Sequence, residues 1–306
     1  MAQSSASKTA AAPATTAMEF DGKGNHIDCG NGASLNLTQT LTIEAWLRCK
    51  PMEFGYIVAK DCQDDGAEIS YALLLGNNAI SWFYKDLEAG QGRGVVRWKS
   101  VSTHDNHWHH IALVVNQQEA LLYVDGVAQA NQTLTCGLID NAEASLLIGK
   151  DFSNVRRTMF TGKLAEMRLW STARTAEEIK AHMSQRLRGD EPGLVGYWPL
   201  DEGAGTTAKD KTKNDNHGTI HGATWLTADD LQLAPAPKPK KKTRKNSGKT
   251  AASDPTLHIP AAQPRTLHAT GLEDYNYWWE TLLKQQLAKQ TKSEAKKPYR
   301  RGRIWV

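Results

Sequence analysis

Leu41-Thr-Ile-Glu-Ala-Trp-Leu-Arg-Cys49 is the stretch that decides the fold. Its odd positions, Leu41, Ile43, Ala45, Leu47 and Cys49, are apolar, while Thr42, Glu44, Trp46 and Arg48 alternate with them. Successive side chains of an extended chain point to opposite faces, so this period of two predicts a half-buried strand. Comparable runs occupy 56–60, 71–75, 80–84, 94–101, 109–115, 120–124, 146–149, 163–170 and 194–200. Asp125-Gly126 and Gly76-Asn77-Asn78 lie between such runs and have the composition of hairpin turns. Many short strands without alternating helices predict an all-β fold, a two-sheet antiparallel sandwich of the jelly-roll kind. One helix interrupts the pattern. Thr175-Ala-Glu-Glu178 is a capping box, and Ile179, Met183 and Leu187 follow at four-residue spacing, which predicts an amphipathic helix from Thr175 to about Leu187.

The chain has 306 residues, 40% hydrophobic and 23% charged, enough for a substantial core. No apolar run approaches the roughly 18–20 residues of a membrane-spanning helix. The Ala-, Ser- and Thr-rich start lacks the apolar run of a secretory signal, and Cys29, Cys49, Cys62 and Cys136 form no C-x-x-C pair. Cytoplasmic synthesis of a reduced protein is the expectation, either as part of a larger assembly or exported by one.

Charge divides the chain in two. From Thr227 onward sixteen Lys and Arg face seven Asp and Glu, leaving 21 basic against 26 acidic residues in the first 226. An acidic body thus carries a basic tail. The expected organisation is a disordered N-terminus over 1–17, one jelly-roll domain over 18–226, a disordered Pro- and Lys-rich linker over 227–269 and a helical docking tail over 270–306. In the tail, Thr270-Gly-Leu-Glu273 is a second capping box, and Leu272, Tyr275, Trp279, Leu282 or Leu283, and Leu287 form an apolar stripe with Trp278 beside it. Tyr275, Trp278, Trp279, Leu282, Arg300, Arg301 and Trp305 are the candidate residues for docking on a protein assembly, since aromatic and arginine anchors suit interfaces. The basic run at 237–245 lacks interleaved aromatics and any accompanying nucleic-acid motif, so nucleic acid is not the expected partner.

Specific strings then point to a family. Met18-Glu-Phe-Asp-Gly22, Ser34-Leu-Asn-Leu-Thr38, Thr42-Ile-Glu-Ala-Trp46, Trp108-His-His-Ile-Ala112, Leu122-Tyr-Val-Asp-Gly126, Leu147-Ile-Gly149 and Gly162-Lys-Leu-Ala-Glu-Met-Arg-Leu-Trp170 follow one another in an order that resembles laminin-G-like, concanavalin A-like jelly-roll domains. The segments 173–179, 194–203, 205–210 and 216–220 are similar to that family's later strings, so the resemblance spans about 18–225. It implies two large antiparallel sheets packed face to face, a frame used by lectins, pentraxins, glucanases and protein-binding modules. The pentraxin cysteine pair falls where this chain has Glu44 and Ala112.

The resemblance also implies places to look for chemistry. Glucanases of the superfamily set carboxylates close together on one strand, whereas Glu166 stands alone in 163–170 and Glu44 alone in 41–49, so no enzyme is expected. Relatives that bind Ca2+ at a rim imply a candidate metal set of Asp21, Gly24, Asn25 and Glu166, with Ala165 standing where many relatives add an acid. The acidic loop 61–68 lacks EF-hand spacing and reads as a solvated hairpin. His104, His107, His109 and His110 cluster, and sheet histidines with ordinary partners are favoured there over a metal site. Glycan binding calls for an aromatic platform with polar neighbours, for which Trp82, Tyr84, Arg93, Arg97 and Trp98 are the candidates. The expected function is non-enzymatic recognition of a glycan or protein surface, tethered by the tail, as in an adhesin or tail-fibre-like component of a bacterial apparatus. The alternative is an intracellular protein-binding scaffold without glycan activity, and a glycoside hydrolase is the third reading.

Overall fold

In the computed structural model the odd-numbered residues of 41–49 all point into the core, as their spacing requires. The structure describes residues 15–61, 69–76, 78–85, 93–117, 119–135, 143–152 and 158–238. The strands are β1 (Thr16–Asp21), β2 (His26–Asp28), β3 (Thr40–Arg48), β4 (Gly55–Asp61), β5 (Ile69–Gly76), β6 (Ala79–Lys85), β7 (Arg93–Lys99), β8 (Trp108–Asn116) and β9 (Glu119–Val124). They continue as β10 (Val127–Ala128), β11 (Gln132–Thr133), β12 (Leu146–Ile148), β13 (Thr161–Trp170), β14 (Leu194–Trp198), β15 (Thr207–Ala208), β16 (Gly218–His221) and β17 (Thr224–Thr227). One sheet runs β10-β9-β8-β3-β13-β1-β17, with β11 and β14 paired at its side, and the other runs β15-β16-β2-β12-β4-β5-β6-β7. Every pairing of named strands is antiparallel, and the result is a jelly-roll sandwich. Leu41, Ile43 and Leu47 from one sheet meet Tyr71, Leu73 and Trp82 from the other in a shared core.

The other face of β3 departs from the expectation of a half-buried strand. Thr42 and Glu44 are fully buried, because a strap running from Ser171 to Gly193 crosses the outer face of this sheet. The strap holds helix α1 (Ala176–His182), whose N-cap Thr175 and Glu178 form both arms of the capping box read from the sequence. The helix ends at His182, before Leu187, and carbonyls at and just past its end accept from side chains of the sheet. Trp46 Nε1 donates to Met183 O at 2.8 Å, and Arg168 donates to His182 O and Gln185 O at 3.1 and 2.7 Å. These bonds satisfy carbonyls that a helix terminus leaves open.

Arg168 is the centre of this arrangement. Its guanidinium has no exposed surface, donates to Glu166 Oε2 at 2.8 Å and lies 3.5 Å from Glu44 Oε2, which is also 3.2 Å from His110 Nε2. Burial alone would raise the Glu44 carboxyl, but His110 and Arg168 outweigh it and hold it at about 2. Tyr197 Oη donates to Glu166 Oε2 at 2.8 Å, and burial pushes this phenol far up.

The body reaches further than composition suggested at both ends. β1 begins at Thr16 with Ala17 buried, inside the stretch expected to be disordered. Past Thr227, Ala228 and Leu231 pack against Ala17 and Ala165, and Ala234 exchanges backbone bonds with Ser184 and Arg186. Residues 227–234, the first eight assigned to the linker, thus close over the sheet. These eight escape a composition argument because a short, mostly polar run carrying Ala228 and Leu231 buries little surface on its own. The linker past 238 and the whole docking tail lie outside the described residues.

Replacing Arg168 by Leu strands Glu44 and Glu166 without their cation, and removing one partner of a buried pair typically costs about 3–5 kcal/mol. Urea unfolding of Arg168→Leu is expected to show a loss of that size. A loss below about 1 kcal/mol would mean that the network contributes little.

Candidate functional site

A polar cleft of about 450 Å³ opens at the rim, where the ends of β1 and β3 and the starts of β13 and β17 converge. Its carboxylates are Glu19, Asp21 and Glu53, its cations Arg48, Lys50 and Lys163, and its amides Asn25 and Asn106. Three positive and three negative groups on an open rim favour a ligand that both donates and accepts hydrogen bonds over a simple anion. The walls are local turns. Asp21 Oδ1 accepts from Lys23 N at 2.9 Å, and Glu53 Oε2 accepts from Lys50 N at 2.7 Å. Asn25 Nδ2 donates to Gly222 O and so ties the turn after β1 to the turn before β17. Gly162 lets β13 approach β3 closely: at φ +137° it stands where a Cβ would lie 2.9 Å from Arg48 O. Arg48 is fixed by Asp230 Oδ2 at 2.5 Å and by Asn106 Oδ1 at 3.3 Å. The C-terminal closing segment therefore positions one cation of the cleft.

The predicted metal set is not assembled as expected. Asp21, Gly24 and Asn25 share the rim turn, and Asp21 and Asn25 line the cleft. Glu166 lies elsewhere. Asp21 pairs with Thr161, and Glu166 is five residues further along β13, roughly 16 Å at strand rise. A bulge at Glu166, with φ 53°, breaks the period of two and sets Glu166 on the same outer face as Arg168. Glu166 is 1% exposed and committed to Arg168 and Tyr197. Among the described residues no group of three or more His, Cys, Asp and Glu is arranged to hold a metal ion.

The predicted aromatic platform is also corrected. Trp82, Tyr84 and Trp98 are core residues: Trp82 stacks on Tyr71, Tyr84 Oη meets Thr135 Oγ1 at 3.0 Å, and Trp98 Nε1 donates to Ala130 O at 2.6 Å. Alternation pairs such residues on one face but does not say which face meets the second sheet, and the larger aromatics go inward. Arg97 stands on the opposite face, donating to Ser81 Oγ at 3.0 Å. The side chain of Arg93 and loop residues 62–68 lie outside the described residues, as do Tyr275, Trp278, Trp279, Leu282, Arg300, Arg301 and Trp305.

Sequence reasoning did not find Glu19, Arg48, Lys50, Glu53, Asn106 or Lys163. They come from separate stretches of the chain, and no spacing links them. The available signals are local: Asp-Gly-Lys-Gly-Asn at 21–25 and Pro-Met-Glu-Phe-Gly at 51–55 are turn strings flanking strands.

The four clustered histidines have ordinary partners, in keeping with the structural reading. His104 Nε2 meets Glu53 O at 2.9 Å, and His110 pairs with Glu44. His109 lies between two carboxylates, with Nδ1 2.8 Å from Asp125 and Nε2 2.9 Å from Asp105, beside the loop that places Asn106. Both nitrogens donate only in the imidazolium form. Burial lowers its pKa, but Asp125 and Asp105 prevail and raise it above 6.5. A raised folded-state pKa gives stability that is full below the unfolded value and is lost as pH rises through the folded value. Thermal melts between pH 5.5 and 8.5 should therefore show a fall in Tm that is smaller in His109→Gln. Equal slopes would contradict the imidazolium clamp.

A sequence profile of the concanavalin A-like lectin/glucanases superfamily matches residues 21–180, just over half of the chain. Among solved structures, the chain is similar to a candidate carbohydrate-binding protein from Bacteroides ovatus, with 23% identity and a TM-score of 0.55. That match covers 71% of this chain and 61% of the other, so the chain spans less than two thirds of its length. A native heptameric SAP-like pentraxin from Limulus polyphemus matches with 14% identity and a TM-score of 0.47, over 72% of this chain and 98% of the pentraxin. Comparison with curated proteins gave no match.

Proposed function

The chain belongs to the concanavalin A-like lectin/glucanases superfamily, and from that premise we propose that it is a non-enzymatic recognition module whose rim cleft holds a glycan. The cleft carries the reading. Carboxylates, amides and cations around one open volume match the mixed donors and acceptors of sugar hydroxyls. Glu44 and Glu166, the carboxylates considered for hydrolysis, are sealed under the strap and bound to Arg168. The candidate carbohydrate-binding protein from Bacteroides ovatus, which shares the fold, adds support. In this reading the C-terminal segment with Trp278 and Trp279 tethers the module to a protein assembly.

Screening the full chain on a glycan array, with and without Ca2+, tests the proposal. The expected result is binding to a defined glycan class. Lys163→Ala and Glu19→Gln, both on the cleft wall, should weaken it roughly tenfold or more, the loss that one charged hydrogen bond gives, at unchanged Tm. Absence of glycan signal in both conditions would overturn the reading in favour of a protein ligand. Signal indifferent to both substitutions would move the site out of the cleft.

A further inference from the structure

Immediately beside the cleft, at its Asn25 and Gly222 tie, two histidines stand face to face. His26 on β2 and His221 on β16 are direct cross-strand partners of an antiparallel pair. Residues directly opposite in such a pair have Cβ atoms about 4.5–5.5 Å apart, so their side chains share one outer face of the sheet. The imidazole rings lie parallel, with centroids 4.5 Å apart and planes 12° apart. His221 is exposed and His26 half-buried.

The pair has the features of a ligand set. His26 Nδ1 lies 2.8 Å from Gly24 O, and a carbonyl accepts only, so Nδ1 carries the hydrogen and Nε2 keeps its lone pair. Metal-binding histidines are commonly held this way, the second nitrogen donating to a carbonyl that fixes tautomer and ring plane. The His221 ring makes no hydrogen bond to a described residue. Burial, and to a smaller extent Lys150 and His221, lower the pKa of His26 despite the opposing pull of Gly24 O and Asp28. Lys150 and Asp28 are charged neighbours of opposite sign acting on His26.

We propose that His26 and His221 form a two-imidazole site for a borderline divalent transition metal, Zn2+, Ni2+ or Cu2+, at the edge of the rim cleft. Imidazole nitrogen suits these ions, whereas Ca2+ and Mg2+ require oxygen ligands. With metal–nitrogen bonds of about 2.0–2.1 Å, the two Nε2 atoms must come to roughly 3–3.5 Å, so binding requires the exposed His221 ring to tilt out of the stack. Two protein ligands leave the remaining positions to water or to donor atoms of a bound molecule.

The test uses the tag-free full chain after chelator treatment, titrated with Zn2+, Ni2+, Ca2+ or Mg2+ in competition with a chromophoric chelator. Zn2+ and Ni2+ are expected to bind with one equivalent that weakens about tenfold or more in His221→Ala and in His26→Gln, while Ca2+ and Mg2+ do not occupy it. Circular dichroism establishes that both variants are folded. Because the chain has 10 histidines, substoichiometric Cu2+ with NMR detection locates the site: broadening should appear first at His26 and His221. Unchanged stoichiometry and affinity in both variants, or first broadening at other histidines, would overturn the assignment.

Discussion

A guanidinium with no contact with water is the constraint on which the rest of the structure depends. Arg168 is tolerated in the interior because Glu166 and Glu44 neutralise it and the carbonyls of His182 and Gln185 accept from its two terminal nitrogens. His182 is the last residue of the helix and Gln185 lies in the turn after it, so satisfying the charge also ties down the helix end and the strap. The same strap then offers Ser184 and Arg186 to Ala234, which fixes the closing segment. One buried charge thus links β3, β13, the helix and the last described residues.

That linkage bears on recognition. A sheet face of this size would ordinarily be a candidate for a ligand, but here it is filled by Trp46, Trp108, Ala165, Ile179 and the strap that covers them. Polar groups near solvent are brought together around one open volume at the rim, where separate turns meet. Asp230, next to the buried Leu231, holds Arg48 at the cleft and accepts from Trp108 Nε1 at 3.1 Å. The segment that closes the sheet therefore also shapes the cleft, and the superfamily frame is specialised through its loops.

The framework was legible because periodicity is local. The alternation in 41–49 identified β3 and its core face, and Thr175 with Glu178 identified the start of the helix. What lay beyond local pattern was not legible. Nothing in the string Lys163-Leu-Ala-Glu-Met-Arg signals that a bulge sets Glu166 on the outer face with Ala165 and Arg168, since a bulge is set by neighbouring strands. Nothing in Ile80-Ser-Trp-Phe-Tyr84 tells which of its faces meets the second sheet, and the structure places Trp82 and Tyr84 inside. The cleft joins Glu19, Lys50, Glu53 and Lys163 from three stretches of chain, and no spacing rule connects them. His26 and His221 become neighbours only through the pairing of β2 with β16, across most of the described chain.

The central claim is that strap and sheet form one unit around Arg168. Hydrogen exchange of the native full chain tests it most directly, read at the amides of Met183, Arg186 and Ala234 against those of β3 and β13. If the buried charge locks them together, these amides exchange with the slow, global opening of the strands and with the same dependence on denaturant. Fast exchange of the three strap and closing-segment amides, while β3 and β13 stay protected, would contradict the account.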